Sequence, residues 1–313
     1  MSGPVSTIDA PAERTSGHSE LPCLEISQDR EASVGRIQVR RALPRKGRRA
    51  VGAWCFADHM GPASVTEGAG LDIGPHPHVG LQTVTWLLDG QVLHRDSLGS
   101  EQVIKPGELN LMTAGNGVTH SEEATGAYRG ELHGVQLWVA QPGGTRHGDA
   151  AFTHHATLPQ CDLDLAVGTV LIGEFAGAAS PARHDTALVA VDLALRPGES
   201  VLPLRADFEY AAVVVQGAIA IDGRPVVPGR LAYLGLGRQE LVLQAAEPTR
   251  ALLLGGEPFE EPIVMWWNFV GRSREELEAA FTDWDTSSER FGRVASRLPR
   301  IPTPPPYWMR GSA

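Results

Sequence analysis

From Leu24 onward, short apolar and β-branched runs alternate with turns built on glycine and proline, and the spacing predicts strands rather than helices. A first strand is read over Val34–Leu43. A buried one over Val51–Met60 leads into Gly61-Pro62. Thr83-Val-Thr-Trp-Leu-Leu is rich in strand formers, Asp89-Gly90 carries a type I′ turn signal, and Gln91–Ser97 returns, so a hairpin is expected. Pro106-Gly107 marks a second turn before Leu109-Asn-Leu-Met, and Gly115-Asn-Gly117 permits a sharp bend just before His120. Leu132–Ala140 closes this unit, and the stretch from Gln141 to Pro159 reads as irregular.

The pattern then repeats. Tyr210–Val215, Gln216-Gly217 and Ala218–Gly223 follow the order of the first hairpin, and Pro228-Gly229 before Leu231-Ala-Tyr-Leu matches Pro106-Gly107 before Leu109. A duplication at domain scale is therefore expected. The copy puts Leu202-Pro-Leu-Arg and Leu234-Gly-Leu-Gly where the first unit has histidines, so it is expected to hold no metal. One helix is predicted after Ser273, with Glu276 completing a capping box and Leu277, Ala280, Phe281 and Trp284 forming one apolar stripe. The proline-rich end from Leu298 is expected to pack as an extended strap. The division read from this pattern is a loose leader over 1–22, a metal-binding unit over 23–150, a metal-free unit over 160–262, and the helix and strap over 263–313.

Composition narrows the function classes. A net charge of −10 disfavours direct nucleic-acid binding, which needs a basic face. Three scattered cysteines, Cys23, Cys55 and Cys161, supply neither a disulfide framework nor a paired zinc motif. The amino terminus lacks a basic start and an apolar core, and no apolar run reaches the length of a membrane span. The expectation is a soluble, cytoplasmic protein.

The candidate chemistry lies in Gly70-Leu-Asp-Ile-Gly-Pro-His76-Pro-His78 and in His120-Ser-Glu122. Residues two apart on a strand share a face, so each segment aims two donors one way. With eleven histidines in the chain either pair alone is commonplace; together, on facing strands, they bring three imidazoles and one carboxylate to one point. Neutral nitrogens with a single anionic oxygen suit a divalent transition metal better than magnesium or calcium. His94, two residues before Asp96, reads as a pocket residue or, preferentially, as a hydrogen-bonded structural group. His59 is open to the same two readings, and His154-His155 reads as surface.

The motifs resemble those of the pirin family of the cupin superfamily. The resemblance rests on Phe56-Ala-Asp-His-Met-Gly-Pro, His76-Pro-His-Val-Gly, Thr83-Val-Thr-Trp-Leu-Leu-Asp-Gly, His94-Arg-Asp-Ser-Leu-Gly and Met112-Thr-Ala-Gly-Asn-Gly-Val-Thr-His-Ser-Glu. Trp267-Asn-Phe-Val-Gly-Arg-Ser-Arg-Glu-Glu adds to it near the end. It implies an all-β bicupin, two antiparallel β-sandwich barrels of jelly-roll type with a short C-terminal helix, and metal only in the first. It implies Fe(2+) on His76, His78, His120 and Glu122, with Mn, Ni, Cu or Zn as other candidates. The usual cupin glutamate near Gln82 or Thr83 is absent, and His78-Val-Gly-Leu-Gln82 lacks two charges of the pirin pattern.

The activity implied is that of a quercetin 2,3-dioxygenase, opening a flavonol-like aromatic substrate with O2, with Glu122 as catalytic base and Trp54, Phe56 and Met112 as apolar walls. The resemblance also implies an alternative of a different class: a non-catalytic, iron-dependent redox sensor that binds a protein partner, a transcription factor or a metabolic enzyme. The sequence does not choose between them.

Overall fold

The computed structural model describes residues 23–35, 37–66 and 70–309; the leader expected over 1–22 lies outside them. Two units follow one another, each a seven-stranded antiparallel sheet facing a four-stranded one. Twelve strands come first in the chain: β1 (Glu25–Gln28), β2 (Arg30–Val34), β3 (Ile37–Leu43), β4 (Trp54–Val65), β5 (Ile73–His78) and β6 (Leu81–Asp89). Then come β7 (Val92–Asp96), β8 (Glu101–Ile104), β9 (Leu109–Thr113), β10 (Val118–Glu123), β11 (Gly130–Ala140) and β12 (Ala151–His155). The large sheet of the first unit runs β12-β9-β6-β11-β4-β3-β2, and its small sheet β5-β10-β7-β8.

The second unit repeats this plan with a large sheet around Leu188–Leu195, Glu209–Gln216 and Thr249–Gly256 and a small one headed by Gly198–Pro203 and Glu240–Ala245. Its large sheet also takes in β1, which pairs with Arg230–Gly235; the first described strand thus belongs to the second barrel, and the first barrel starts at β2. The two large sheets pack face to face. Trp54, Val84, Trp86, Leu109, Leu111, Val135 and Leu137 of one meet Leu188, Ala190, Ala211, Val213, Leu252 and Leu254 of the other in a single buried cluster. Polar ties fix the docking: Trp86 Nε1 donates to Asp192 Oδ2 at 2.8 Å, and Trp54 Nε1 donates to the carbonyls of Val189 and Gly255.

Several sequence expectations are corrected. Thr83–Leu88 and Gln91–Ser97 are not a hairpin, because β6 lies in the large sheet and β7 in the small one. The Asp89-Gly90 signal marks a crossing between sheets. Only Gly90 has a positive φ there, +98°, and a Cβ on it would sit 2.7 Å from the Leu132 side chain. Pro106-Gly107 and Gln216-Gly217 are likewise crossings. The strand read over Val34–Leu43 is split by a turn at Gly35, and Ala151–His155, read as irregular, is an edge strand paired with β9.

The helix α1 (Arg274–Asp285) starts where expected, with the Ser273 side chain accepting from Glu276 N–H. Glu276 does not close the capping box. Its carboxylate turns to Arg146, at 2.7 and 2.9 Å, and to the Arg272 N–H. Leu277, Ala280 and Trp284 are buried under Trp266, Trp267 and Phe269 of a short hairpin, Val264–Trp266 with Phe269–Gly271. The proline-rich end runs along β5, where Ile301 N–H donates to the Pro75 carbonyl at 2.9 Å.

Candidate metal centre and cavity

The histidine-bearing strands are neighbours in the small sheet. In the β5–β10 ladder His76 lies opposite His120 and His78 opposite Val118. The donor atoms of His76, His78 and His120 all fall within 4.8 Å of one another, and all three side chains are buried. His78 Nε2 and His120 Nε2 approach to 3.0 Å. The ladder slips between His120 and Glu122, which lies opposite Ile73. The Glu122 carboxylate is outside the 4.8 Å grouping but lines the same cavity. In the second unit the corresponding strand pair sets Leu202 opposite Leu241 and Ser200 opposite Leu243. The place of His120 is therefore on Glu240–Ala245 rather than at Leu234-Gly-Leu-Gly, and no histidine stands on either strand.

Hydrogen bonds orient the rings. His76 Nδ1 lies 2.8 Å from the Gly74 carbonyl, which can only accept, so Nδ1 carries the proton and Nε2 keeps its lone pair. His120 is oriented by a chain of partners on β7. Its Nδ1 lies 3.4 Å from His94 Nδ1, and His94 Nε2 lies 3.1 Å from Asp96 Oδ2. With Asp96 as acceptor, His94 is protonated at Nε2 and accepts at Nδ1 from His120, which leaves His120 Nε2 free toward the cluster. Asp96 Oδ1 in turn accepts from the backbone N–H groups of Leu98 and Ser100, both at 2.9 Å. Burial pushes the Asp96 carboxyl up, but the bonds from His94 and Ser100 outweigh it and hold the group below its ordinary value.

Burial makes the site a set of neutral donors. It pushes His76 down to about 4, and carries His78 and His120 well below their ordinary value, reinforced by mutual repulsion. Burial alone raises Glu122 to about 7. Neutral imidazoles with inward lone pairs and one ionisable carboxyl beside them are a donor set for a divalent transition metal, so the residues present fit such an ion.

The cluster opens into a cavity of about 480 Å³, within the usual span for small-molecule sites. Phe56 stacks on Trp138 with centroids 4.0 Å apart, and Trp138 meets the His78 ring edge-on at 5.3 Å. Phe56 is thus a wall residue as expected. Trp54 is not, since it is spent on the contact between barrels, and Met112 packs beneath Phe56 and Trp138 without lining the cavity. The sequence reading missed Trp267 and Asn268, which reach the cavity from the C-terminal hairpin, and Arg41, Asp58 and Gln136 on the large sheet. Trp267 has φ of +53°, an uncommon conformation for an aromatic residue and a signal visible only in the backbone. His59 lies outside the cavity, its Nε2 2.8 Å from His133 Nε2; His154 is half-buried against Asn110.

Two family models match the chain, Pirin over residues 36–139 and the Pirin C-terminal cupin domain over 190–292. The chain belongs to the pirin family. A Pseudomonas aeruginosa protein named "Putative quercetin 2,3-dioxygenase PA1205" is 46% identical over 276 residues, covering 88% of this chain and 87% of that protein. A pirin-like protein of Caulobacter vibrioides is 40% identical over 263 residues, 82% of this chain and 90% of its own length. The crystal structure of quercetin 2,3-dioxygenase from Acinetobacter baumannii superposes with a TM-score of 0.87 at 40% identity, over 90% of this chain and 95% of that one. The fold is accordingly that of a bicupin pirin. Among the described residues no helix is long and apolar enough to cross a membrane.

Proposed function

We propose that this pirin is a metal-dependent dioxygenase of the quercetin 2,3-dioxygenase type, acting on a planar flavonol-like substrate with O2. The observation that supports it most is the convergence of three neutral imidazoles on a cavity of about 480 Å³ that is also lined by a stacked aromatic pair. His76, His78 and His120 would hold the metal, iron(II) in this reading, with Glu122 as the fourth ligand and base. Such an ion supplies a Lewis-acidic, redox-capable centre with open positions for an organic oxygen and dioxygen.

The protein's own groups do the rest. Phe56 and Trp138, stacked on each other, give the cavity an apolar side beside the cluster against which an aromatic substrate can pack. Glu122, buried without a cation at its side, is poised to accept the proton of an acidic hydroxyl near neutral pH. The His94–Asp96 pair keeps the proton of His120 on Nδ1 and its ring in place. Trp267 and Asn268 line part of the cavity. The three cysteines are free, two of them buried, which supports a reducing, cytoplasmic setting.

The test is anaerobic loading with iron(II), followed by oxygen and quercetin, with flavonol absorbance and carbon monoxide followed together. Loss of absorbance with carbon monoxide release in the native protein supports the reading. An iron-replete protein that leaves quercetin intact would instead favour the regulatory role of a metal-dependent binding module.

A further inference from the structure

One row of polar side chains crosses the large sheet inside the first barrel, and the proposed chemistry does not use it. Arg41 of β3, Asp58 of β4, Gln136 of β11, Thr85 of β6 and Asn110 of β9 stand opposite one another, strand by strand. Polar groups inside a barrel have to find partners. Arg41 and Asp58 meet each other, Nε donating to Oδ1 at 2.7 Å and Nη2 to Oδ2 at 2.6 Å. Asn110 Oδ1 lies 2.8 Å from His154 Nδ1, and Thr85 Oγ1 donates to Gln136 Oε1 at 2.8 Å.

Gln136 differs from the rest of the row. It is half-buried, whereas the other four are between 2% and 6% exposed. It stands on the central strand of the seven, and its chain neighbours Val135 and Leu137 point the other way, into the contact between barrels. Its exposure therefore comes from the cavity that it lines. Thr85 pins one end of the amide. Among the described residues the other end, Nε2, has no partner, and it is not sealed. The charges nearby are already settled: Arg41 holds Asp58, Arg297 holds Asp72 at 2.7 Å, and Arg30 and Glu31 are exposed on the edge strand β2. Gln136 thus brings an uncharged hydrogen-bonding group to a wall of paired charges. A hydroxyl, which both donates and accepts, is its natural partner whichever end of the amide faces inward. Trp138, two residues on and about 7 Å along the strand, shares this face and meets the His78 ring edge-on at 5.3 Å. That separation is within the span of a flavonol whose other end lies at the imidazole cluster.

We propose that Gln136 is a specificity-determining residue whose amide hydrogen-bonds to a second, neutral hydroxyl of the substrate, with Thr85 positioning it. This deepens the dioxygenase reading and rests on it: the preferred substrates are polyphenols that carry a hydroxyl away from the metal-facing end as well as at it.

The test measures binding of 3-hydroxyflavone, 3,7-dihydroxyflavone and 3,4′-dihydroxyflavone to the zinc-loaded protein without oxygen, by tryptophan quenching and by the absorbance shift of the bound flavonol. The two dihydroxy compounds place the second hydroxyl on one ring or the other. The native protein should favour one of them over 3-hydroxyflavone by about five- to tenfold, the order expected of one hydrogen bond made in an enclosed cavity. In Gln136→Leu that preference should fall to within about twofold, with affinity for 3-hydroxyflavone little changed. Thr85→Val, which frees the amide, should weaken the preference in the same direction, and it carries the test if the Gln136 variant does not fold. A native protein that binds none of the three or shows no preference overturns the proposal, as does a preference that persists in the variants. Turnover of quercetin is scored separately. A protein that keeps the Gln136-dependent preference yet leaves quercetin intact counts against the dioxygenase reading alone, and one that opens quercetin without that preference counts against Gln136 alone.

Discussion

His94 Nδ1 lies 3.4 Å from His120 Nδ1, and this contact ties a cluster imidazole to Asp96, a carboxylate anchored by two backbone N–H groups. It exists because β7 and β10 are adjacent in the small sheet, with His120 opposite Asp96 and Glu122 opposite His94. Phe152 of the edge strand stacks on the His94 ring, with centroids 4.3 Å apart. The orientation of His120 is therefore set by residues that do not themselves face the metal position.

The first prediction follows from that chain. Asp96→Asn removes the acceptor that fixes the His94 tautomer, so the proton on His120 is no longer directed to Nδ1. Metal affinity, measured by competition with a chelator, should fall by about 10- to 100-fold while the circular dichroism spectrum stays native. His94→Phe should do the same.

Glu122→Gln keeps the size of the side chain but cannot take a proton. Turnover of quercetin should fall by about 10²- to 10⁴-fold, with metal content reduced far less because three imidazoles remain. Equal loss of metal and turnover would make Glu122 a ligand only.

Gly74 supplies the carbonyl that holds His76 and is covered by the strap. A Cβ at this position would collide with the Pro299 carbonyl. Gly74→Ala should lower stability by about 1–3 kcal/mol in denaturant titrations and raise protease cleavage near residue 299, because the strap has to lift.

His59 and His133 form a buried neutral pair outside the cavity. Burial, helped by the charge of Arg40, pushes His59 down to about 3, and burial lowers His133 as well. An unfolded histidine takes up its proton near its ordinary value of 6.5, the folded one only near 3. This contribution to stability is therefore full above pH 6.5 and is lost as the pH falls toward 3. His59→Leu with His133→Leu should flatten the acid limb of stability against pH, followed by fluorescence of the metal-loaded protein.

The strand-rich architecture and the imidazole cluster were legible because both depend on local periodicity. A residue two positions along a strand returns to the same face, so His76 and His78 could be paired with each other, and set against His120, before any fold was known. The parts that were not legible depend on which strands adjoin. Asp89-Gly90 carries the same turn signal whether the chain folds back in one sheet or steps to the other, and here it steps. Trp54 and Phe56 differ in role although they are two apart, since an irregularity between Val139 and Trp138 in the β4–β11 ladder separates them. Arg41 and Asp58 lie seventeen residues apart and face each other only through the β3–β4 register. Trp267 and Asn268 come from a hairpin about 190 residues beyond β5.

The most direct measurement is metal binding by anaerobic equilibrium dialysis against iron(II), in the native protein and in His76→Ala, His78→Ala and His120→Ala. The account predicts one tightly held metal per native chain and loss of that metal in each variant. A native protein that holds no metal after reconstitution, or variants that retain it undiminished, would contradict the account.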